Sequence, residues 1–181
     1  MSKVLWTIGH STKPIDEFLS LLNAHGIQRL VDVRTIPRSR YNPQFNTEAL
    51  ASSLAGAAIS YQHSASLGGL RKPREDSINT GWRNESFRGY ADYMQSEAFQ
   101  KTLDELEAVS QALRTAVMCA EAMPWRCHRS LLADALVVRS SEVRHIMSTK
   151  KADRHRLTSF ARVENGMLHY PDPHADPQLF P

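Results

Sequence analysis

No apolar run in this 181-residue chain approaches the roughly 20 residues that a membrane-spanning helix needs, so no membrane contact is expected. The opening Met-Ser-Lys-Val-Leu-Trp lacks the cleavage region of a secretory signal. Cysteine is scarce: the two present, in a chain without that signal, point to free thiols in a reducing compartment, and the expected localisation is cytoplasmic. There is no internal repeat and no interdomain linker, which predicts a single α/β domain over 1–181 with a C-terminal extension from about 149. Lysine is also sparse, since 16 of the 22 cations are arginine, the residue better suited to bidentate contacts with phosphate or carboxylate.

What is present is an ordinary globular composition, 41% apolar, with unevenly placed charge. Residues 29–90 hold nine Lys/Arg against five Asp/Glu, and residues 126–162 hold nine against three. Between them, residues 91–125 hold two against six. Either an ordinary solvated surface or an anionic partner would account for two basic segments bracketing an acidic one.

The periodicities alternate between strand and helix. Val4-Leu-Trp-Thr-Ile8 is β-prone and stops at Gly9-His10-Ser11-Thr12. Ile15, Phe18, Leu19 and Leu22 then mark one helix face, with Ser11 or Thr12 as cap, Pro14 in the first turn and Gly26 as stop. A second strand falls at Leu30–Val33, a short helix at Thr47–Leu54 and a third strand at Ile59–His63. Arg34–Asn46 reads as a loop, as does the aperiodic Ser64–Asn84, whose length suggests function or mobility. Phe87, Tyr90, Ala91 and Met94 suggest a helical turn or two. Ser96 then caps a longer helix with Phe99, Leu103, Leu106 and Leu113 on one face. Ala116–Cys119, a helix carrying Leu131, Leu132, Ala135 and Leu136, and a strand at Glu142–Met147 follow. Asn165-Gly166 between β-prone runs signals a hairpin, and the prolines after Tyr170 an irregular end. The predicted architecture is a three-layer, Rossmann-like α/β sandwich: a central mostly parallel sheet, helices on both faces, and a C-terminal hairpin.

In such a sheet ligands bind beyond the carboxyl ends of the strands. Three polar clusters fall there: Gly9-His10-Ser11, Asp32-Val33-Arg34, and Cys119-Ala120-Glu121. The first precedes a helix, so free backbone N–H groups would face an anion, unless Ser11 or Thr12 merely caps that helix and His10 is a plain loop residue. Asp32 and Arg34 project to one side, as an orienting pair, a proton acceptor with its partner, or a buried ion pair. Arg38, Ser39, Arg40, Tyr41 and Phe45 interleave charge with aromatic rings, a pattern fitting phosphate clamping or base stacking and also found on ordinary surfaces.

Both cysteines lie eight positions apart in Cys119-Ala-Glu121-Ala-Met-Pro-Trp-Arg126-Cys127-His128-Arg129. Cys127, near a helix N-terminus and beside His128, has the surroundings of a thiolate nucleophile; Cys119, after an apolar run, is also readable as a small core residue. Three chemistries remain open on spacing. One is a phosphatase- or sulfurtransferase-like thiol loop, against which the absence of Gly and the presence of Pro124 count. Another is a metal site, with zinc the candidate, built from Cys119, Cys127 and His128 completed by His10 or Glu121. The last is a redox pair.

Thr7-Ile-Gly-His-Ser11, Asp32-Val-Arg34 with Pro37-Arg38-Ser39, and Cys119-Ala-Glu121 with Cys127-His128-Arg129 together resemble the family known as domain of unknown function 488. The likeness runs from the first strand to His145-Ile146. It implies an α/β domain of bacterial or archaeal type and implies no reaction. Its signature residues here are Gly9, His10, Ser11, Asp32, Arg34, Pro37, Ser39, Cys119, Glu121, Cys127, His128 and Arg129.

The leading functional expectation is an enzyme acting on a phosphate-bearing or other anionic ligand, a nucleotide or nucleic-acid end among the options. Gly9, His10, Ser11, Asp32, Arg34, Arg38, Ser39 and Arg129 would form the anion site. Glu121 or His128 would act as general acid/base, and Cys119 or Cys127 as nucleophile or metal ligand. The rival expectations are a non-catalytic nucleic-acid-binding module and a scaffold without chemistry. Nothing in the sequence fixes the oligomeric state.

Overall fold

A computed structural model describes residues 4–175. Five parallel strands and one antiparallel edge strand form a six-stranded sheet in the order β3-β2-β4-β1-β5-β6. The strands are β1 (Val4–Gly9), β2 (Arg29–Asp32), β3 (Ser60–His63), β4 (Thr115–Cys119), β5 (Glu142–Ile146) and β6 (Ala152–Arg154). A separate antiparallel hairpin pairs β7 (Arg162–Glu164) with β8 (Met167–His169). The helices are α1 (Ile15–Ala24), α2 (Thr47–Gly56), α3 (Glu85–Met94), α4 (Glu97–Ala112) and α5 (Arg129–Val138).

Alternation along the central strands builds two cores, because successive strand residues point to opposite faces. Leu5, Val31, Val117, Cys119 and Val143 turn to one face and pack with α3, α4 and α5 through Tyr90, Phe99, Leu103 and Leu132. Trp6, Ile8, Leu30, Ala116 and Met118 turn to the other and pack with Phe18 and Leu22 of α1 and Leu50 and Leu54 of α2. Each such large side chain contributes about 1.5–3 kcal/mol by leaving water. β4 is buried at all five positions, which explains why it reads as an apolar run without alternation. The α/β sandwich and the appended hairpin are thus as expected, and Leu168 and Tyr170 of the C-terminal segment pack into the first core.

Details differ where local signals compete. α1 takes Pro14 as N-cap with no side-chain bond, so neither Ser11 nor Thr12 caps it. Ser11 instead sits in a left-handed turn, at φ 49°, before the chain enters the helix. Ser96 does cap α4, its Oγ accepting from Phe99 N. That helix stops at Ala112, and Leu113 is already extended. β6 has too few residues to show a period and was not expected. Asn165 and Gly166, at φ 51° and 77°, make the left-handed pair that a two-residue hairpin turn demands. The long segment before α3 is pinned rather than loose: Asp92 accepts from Arg74 N, Ser77 Oγ and Asn79 Nδ2. Among the described residues no helix is long and apolar enough to cross a membrane.

Candidate functional site

Because β1, β2 and β4 are parallel neighbours, their last residues finish together. Gly9 sits beside Cys119, and Asp32 beside Met118. The chain leaves β1 toward the α1 face and β4 toward the α5 face, so a crevice opens where the connections part. A cavity of about 630 Å³ occupies it, and His10, Ser11, Arg34, Arg38, Ser39, Cys119, Glu121, Cys127 and His128 all line it. Its charged lining is three arginines, Arg34, Arg38 and Arg126, against one carboxylate, Glu121. Gly9, Asp32 and Arg129 do not line it; they build the wall from behind.

Gly9 works by having no side chain. A Cβ there would lie 1.9 Å from the Glu121 carbonyl oxygen, so only glycine lets the loop after β4 fold across β1. The backbone donors expected to be free at this turn are engaged. His10 N donates to Cys119 O at 2.9 Å and Ser11 N to Ala120 O at 2.8 Å, extending the β1–β4 ladder by two rungs. Helix α1 carries Asp16 and Glu17 in its first turn, and these acidic side chains already complement its dipole. The cradle of free N–H groups expected at Gly9–Ser11 is therefore absent.

Arg34 and Asp32 form a buried, two-pronged ion pair. Arg34 Nε donates to Asp32 Oδ1 at 2.9 Å and Nη2 to Oδ2 at 2.6 Å, while Nη2 also reaches Phe45 O at 2.7 Å. Tyr61 donates to the same Oδ2 at 2.8 Å, and burial followed by the Asp32 charge pushes its phenol up to about 12. His10 Nδ1–H donates to Ser11 O, which leaves Nε2 to accept from Arg34 Nη1 at 3.3 Å. Burial lowers the His10 pKa to about 4, so the ring is neutral, and it stacks on Phe45 at 4.2 Å. Of the five guanidinium hydrogens, one on Nη1 is left for the cavity. Ser39 shapes its own loop: its N donates to Asn46 Oδ1 and its Oγ accepts from Asn42 N. Arg38 is exposed at the rim.

On the opposite wall the two sulfurs stand 2.8 Å apart, Cys119 2% and Cys127 7% exposed. Cys127 Sγ also faces the Arg129 backbone N–H and His128 Nδ1, each at 3.5 Å. The two sulfurs are within hydrogen-bonding reach of each other, and Cys119 Sγ also reaches Glu121 O at 3.6 Å. The hydrogen bond from Cys119, with smaller help from His128 and Arg129, holds Cys127 far below the ordinary thiol range. The same bond and burial push Cys119 well above it. His128 packs edge-on against Tyr90, and its Nε2 is buried without a partner. A Cβ on Gly69 would come within 2.5 Å of the same ring, so a glycine is required on that wall too.

Arg129, expected to bind an anion directly, is instead 1% exposed beneath the loop. Its Nη2 donates to Glu121 O at 2.9 Å and Ala122 O at 3.2 Å, and its Nη1 to Thr7 Oγ1 at 3.3 Å. Its Nε has no partner, and among the described residues no carboxylate forms a salt bridge with it. Behind it runs a chain that sequence reasoning missed: Thr7 Oγ1 to His145 Nδ1 at 2.6 Å, His145 Nε2 to His155 Nδ1 at 2.9 Å, and His155 Nε2 to Asp134 Oδ1 at 2.8 Å. Burial lowers His145 to about 3, so its ring too is neutral. A carboxylate at position 134, inside the apolar run Leu131–Leu136, was the available signal for this network.

Among the described residues no three His, Cys, Asp or Glu side chains are grouped to hold a metal ion.

Fold and site together define an α/β protein whose parallel sheet carries a paired-thiol, arginine-lined pocket at its carboxyl rim. The family described as Domain of unknown function DUF488 matches residues 14–136, more than half of the chain, and the chain belongs to it. That span includes Asp32, Arg34 and the whole Cys119–Arg129 segment, while Gly9, His10 and Ser11 precede it. No curated protein and no solved structure gives a significant match.

Proposed function

We propose that this protein is an enzyme that binds a phosphate-bearing or other anionic small molecule in the 630 Å³ cavity and attacks it with the Cys127 thiolate. The observation that carries the reading is the sulfur's surroundings. Cys127 Sγ lies 2.8 Å from the Cys119 sulfur and accepts from the Arg129 backbone N–H, and the guanidinium of that same residue is buried with no salt-bridging carboxylate among the described residues. A buried unpaired cation is costly, and the thiolate is the available counter-charge. Arg34, Arg38 and Arg126 attract the substrate anion, the spare Nη1 hydrogen of Arg34 orienting it. Glu121, half-exposed at the rim with Oε1 accepting from Met123 N, serves as general acid/base.

Alkylation of the full-length protein with iodoacetamide across pH tests this. Cys127 is expected to label well below the usual thiol pKa of about 8.5, more slowly when inorganic phosphate or a nucleotide occupies the pocket. Labelling that rises only in the ordinary thiol range, unaffected by anions, would sink the reading.

The second reading, a non-catalytic nucleic-acid-binding module, draws on the loop at the cavity rim, where Tyr41 is 89% exposed between Arg40 and Asn42. It requires affinity that falls steeply with salt and survives both Cys119→Ser and Cys127→Ser.

A further inference from the structure

We propose that Cys119 and Cys127 act as a two-thiol pair and that the pocket's substrate is a small anionic disulfide, which the pair reduces. This rests on Cys127 being the nucleophile and adds the identity of the atom it attacks.

A second thiol at 2.8 Å discriminates among electrophiles. For an acyl or phosphoryl group on Cys127 the second thiol is of no use, since transfer to Cys119 only moves the group to another sulfur and its release needs water or another acceptor. A sulfur-bound group behaves differently, because a neighbouring thiol attacks the mixed disulfide and expels the bound half. The pair is placed for that step: Cys119 ends the central strand β4 and Cys127 lies just before His128, the N-cap of α5. Both are buried, so each sulfur has the other as its ready partner. The order of attack follows from exposure. Both sulfurs line the cavity, and Cys127, 7% exposed against 2% for Cys119, is the more accessible one and attacks first, with Cys119 held in reserve. The three lining arginines select an anionic substrate over a cationic one.

The steps balance for a disulfide R–S–S–R. Cys127 S⁻ attacks one sulfur, forming Cys127–S–S–R, breaking the substrate S–S bond and releasing RS⁻. Cys119 then attacks Cys127 Sγ, its proton passing to the departing second RS⁻. The protein ends with a Cys119–Cys127 disulfide, oxidised by two electrons, and the substrate as two thiol fragments. A small dithiol or a dithiol protein is needed to restore the pair.

The test compares two probes of similar size, dianionic 3,3′-dithiodipropionate and dicationic cystamine, on the full chain by intact mass and rate. The dianion is expected to remove two hydrogens from the wild-type protein, about tenfold or more faster than cystamine at low salt. Cys119→Ser and Cys119→Ala, each confirmed folded by circular dichroism, should instead hold half of the probe on Cys127. A wild-type protein that accumulates the mixed disulfide overturns the two-thiol cycle, as does equal reaction with both probes for the anionic substrate. If Cys127 alkylates at neutral pH with anion protection yet no internal disulfide forms, this inference falls and the proposed function stands. If Cys127 fails to alkylate at neutral pH, both fall.

Discussion

Two buried arginines sit within one site and are treated in opposite ways. Arg34, 7% exposed, is matched by Asp32 through two hydrogen bonds, with Tyr61 and Phe45 O completing the cluster. Arg129, 1% exposed, touches only backbone carbonyls and the Thr7 hydroxyl, and its nearest carboxylate along the hydrogen bonds, Asp134, lies beyond two histidine rings. The first cluster is neutral as a whole and positions one donor. The second leaves positive potential beside two sulfurs, which a thiolate can answer. A matched pair organises structure; the unmatched cation is the one on which the proposed thiolate chemistry draws.

The largest expected effect breaks the matched side. Arg34→Met leaves Asp32 buried without its partner and should lower stability by about 3–5 kcal/mol in denaturant unfolding, a loss that Asp32→Asn in the same chain partly restores. If the single variant unfolds like the wild type, the two arginines do not differ as described. Next comes the wall they share: Gly9→Ala forces a Cβ onto the Glu121 carbonyl and should cost about 1–3 kcal/mol, with Cys127 alkylation slowed because the loop is displaced.

Arg129→Met sharpens the contrast. It should move the pH midpoint of Cys127 alkylation upward, toward the ordinary thiol range, while Arg34→Met leaves that midpoint nearly in place. Equal shifts in both variants would remove the distinction.

The last contrast is read in pH, as a slope rather than a single loss. His10 and His145 are held neutral, with folded pKa values of about 4 and about 3 against 6.5 when unfolded. The unfolded chain therefore binds more protons, so the stability these rings contribute is complete above pH 6.5 and is lost as pH falls toward 4 and 3. Each ring adds up to about 1.4 kcal/mol per pH unit to that slope. His10→Gln should flatten the slope between pH 6.5 and 4, and His145→Gln down to pH 3; an unchanged slope in equilibrium denaturation counts against buried neutral rings.

Much of the fold was legible because each long element carries its own period. Of the expected α1 stripe, Phe18 and Leu22 are buried and Ile15 and Leu19 half-buried at its margin, and the β4 run is apolar throughout because both faces are covered. β6 escaped notice because three residues against an edge need no pattern. Within the site, Cys119, Cys127, His128, Arg34 and His10 were legible as reactive types at strand ends. Their division of labour was not: Arg129 looked like an anion ligand and proved to be a support, and the Gly9–Ser11 turn spent its donors on β4. The Asp134–His155–His145 chain was missed because its members lie far apart in sequence.

The residues themselves determined the strand and helix order and the gathering of polar groups at one rim, since these follow from local period and from the parallel sheet. Only the tertiary structure decided that a carbonyl crosses β1 at Gly9 and that Arg129 is buried against Thr7 with no carboxylate partner among the described residues. These outcomes depend on contacts between remote segments, 122 residues apart for Arg129 and Thr7, and such distances are set by packing rather than by any local pattern.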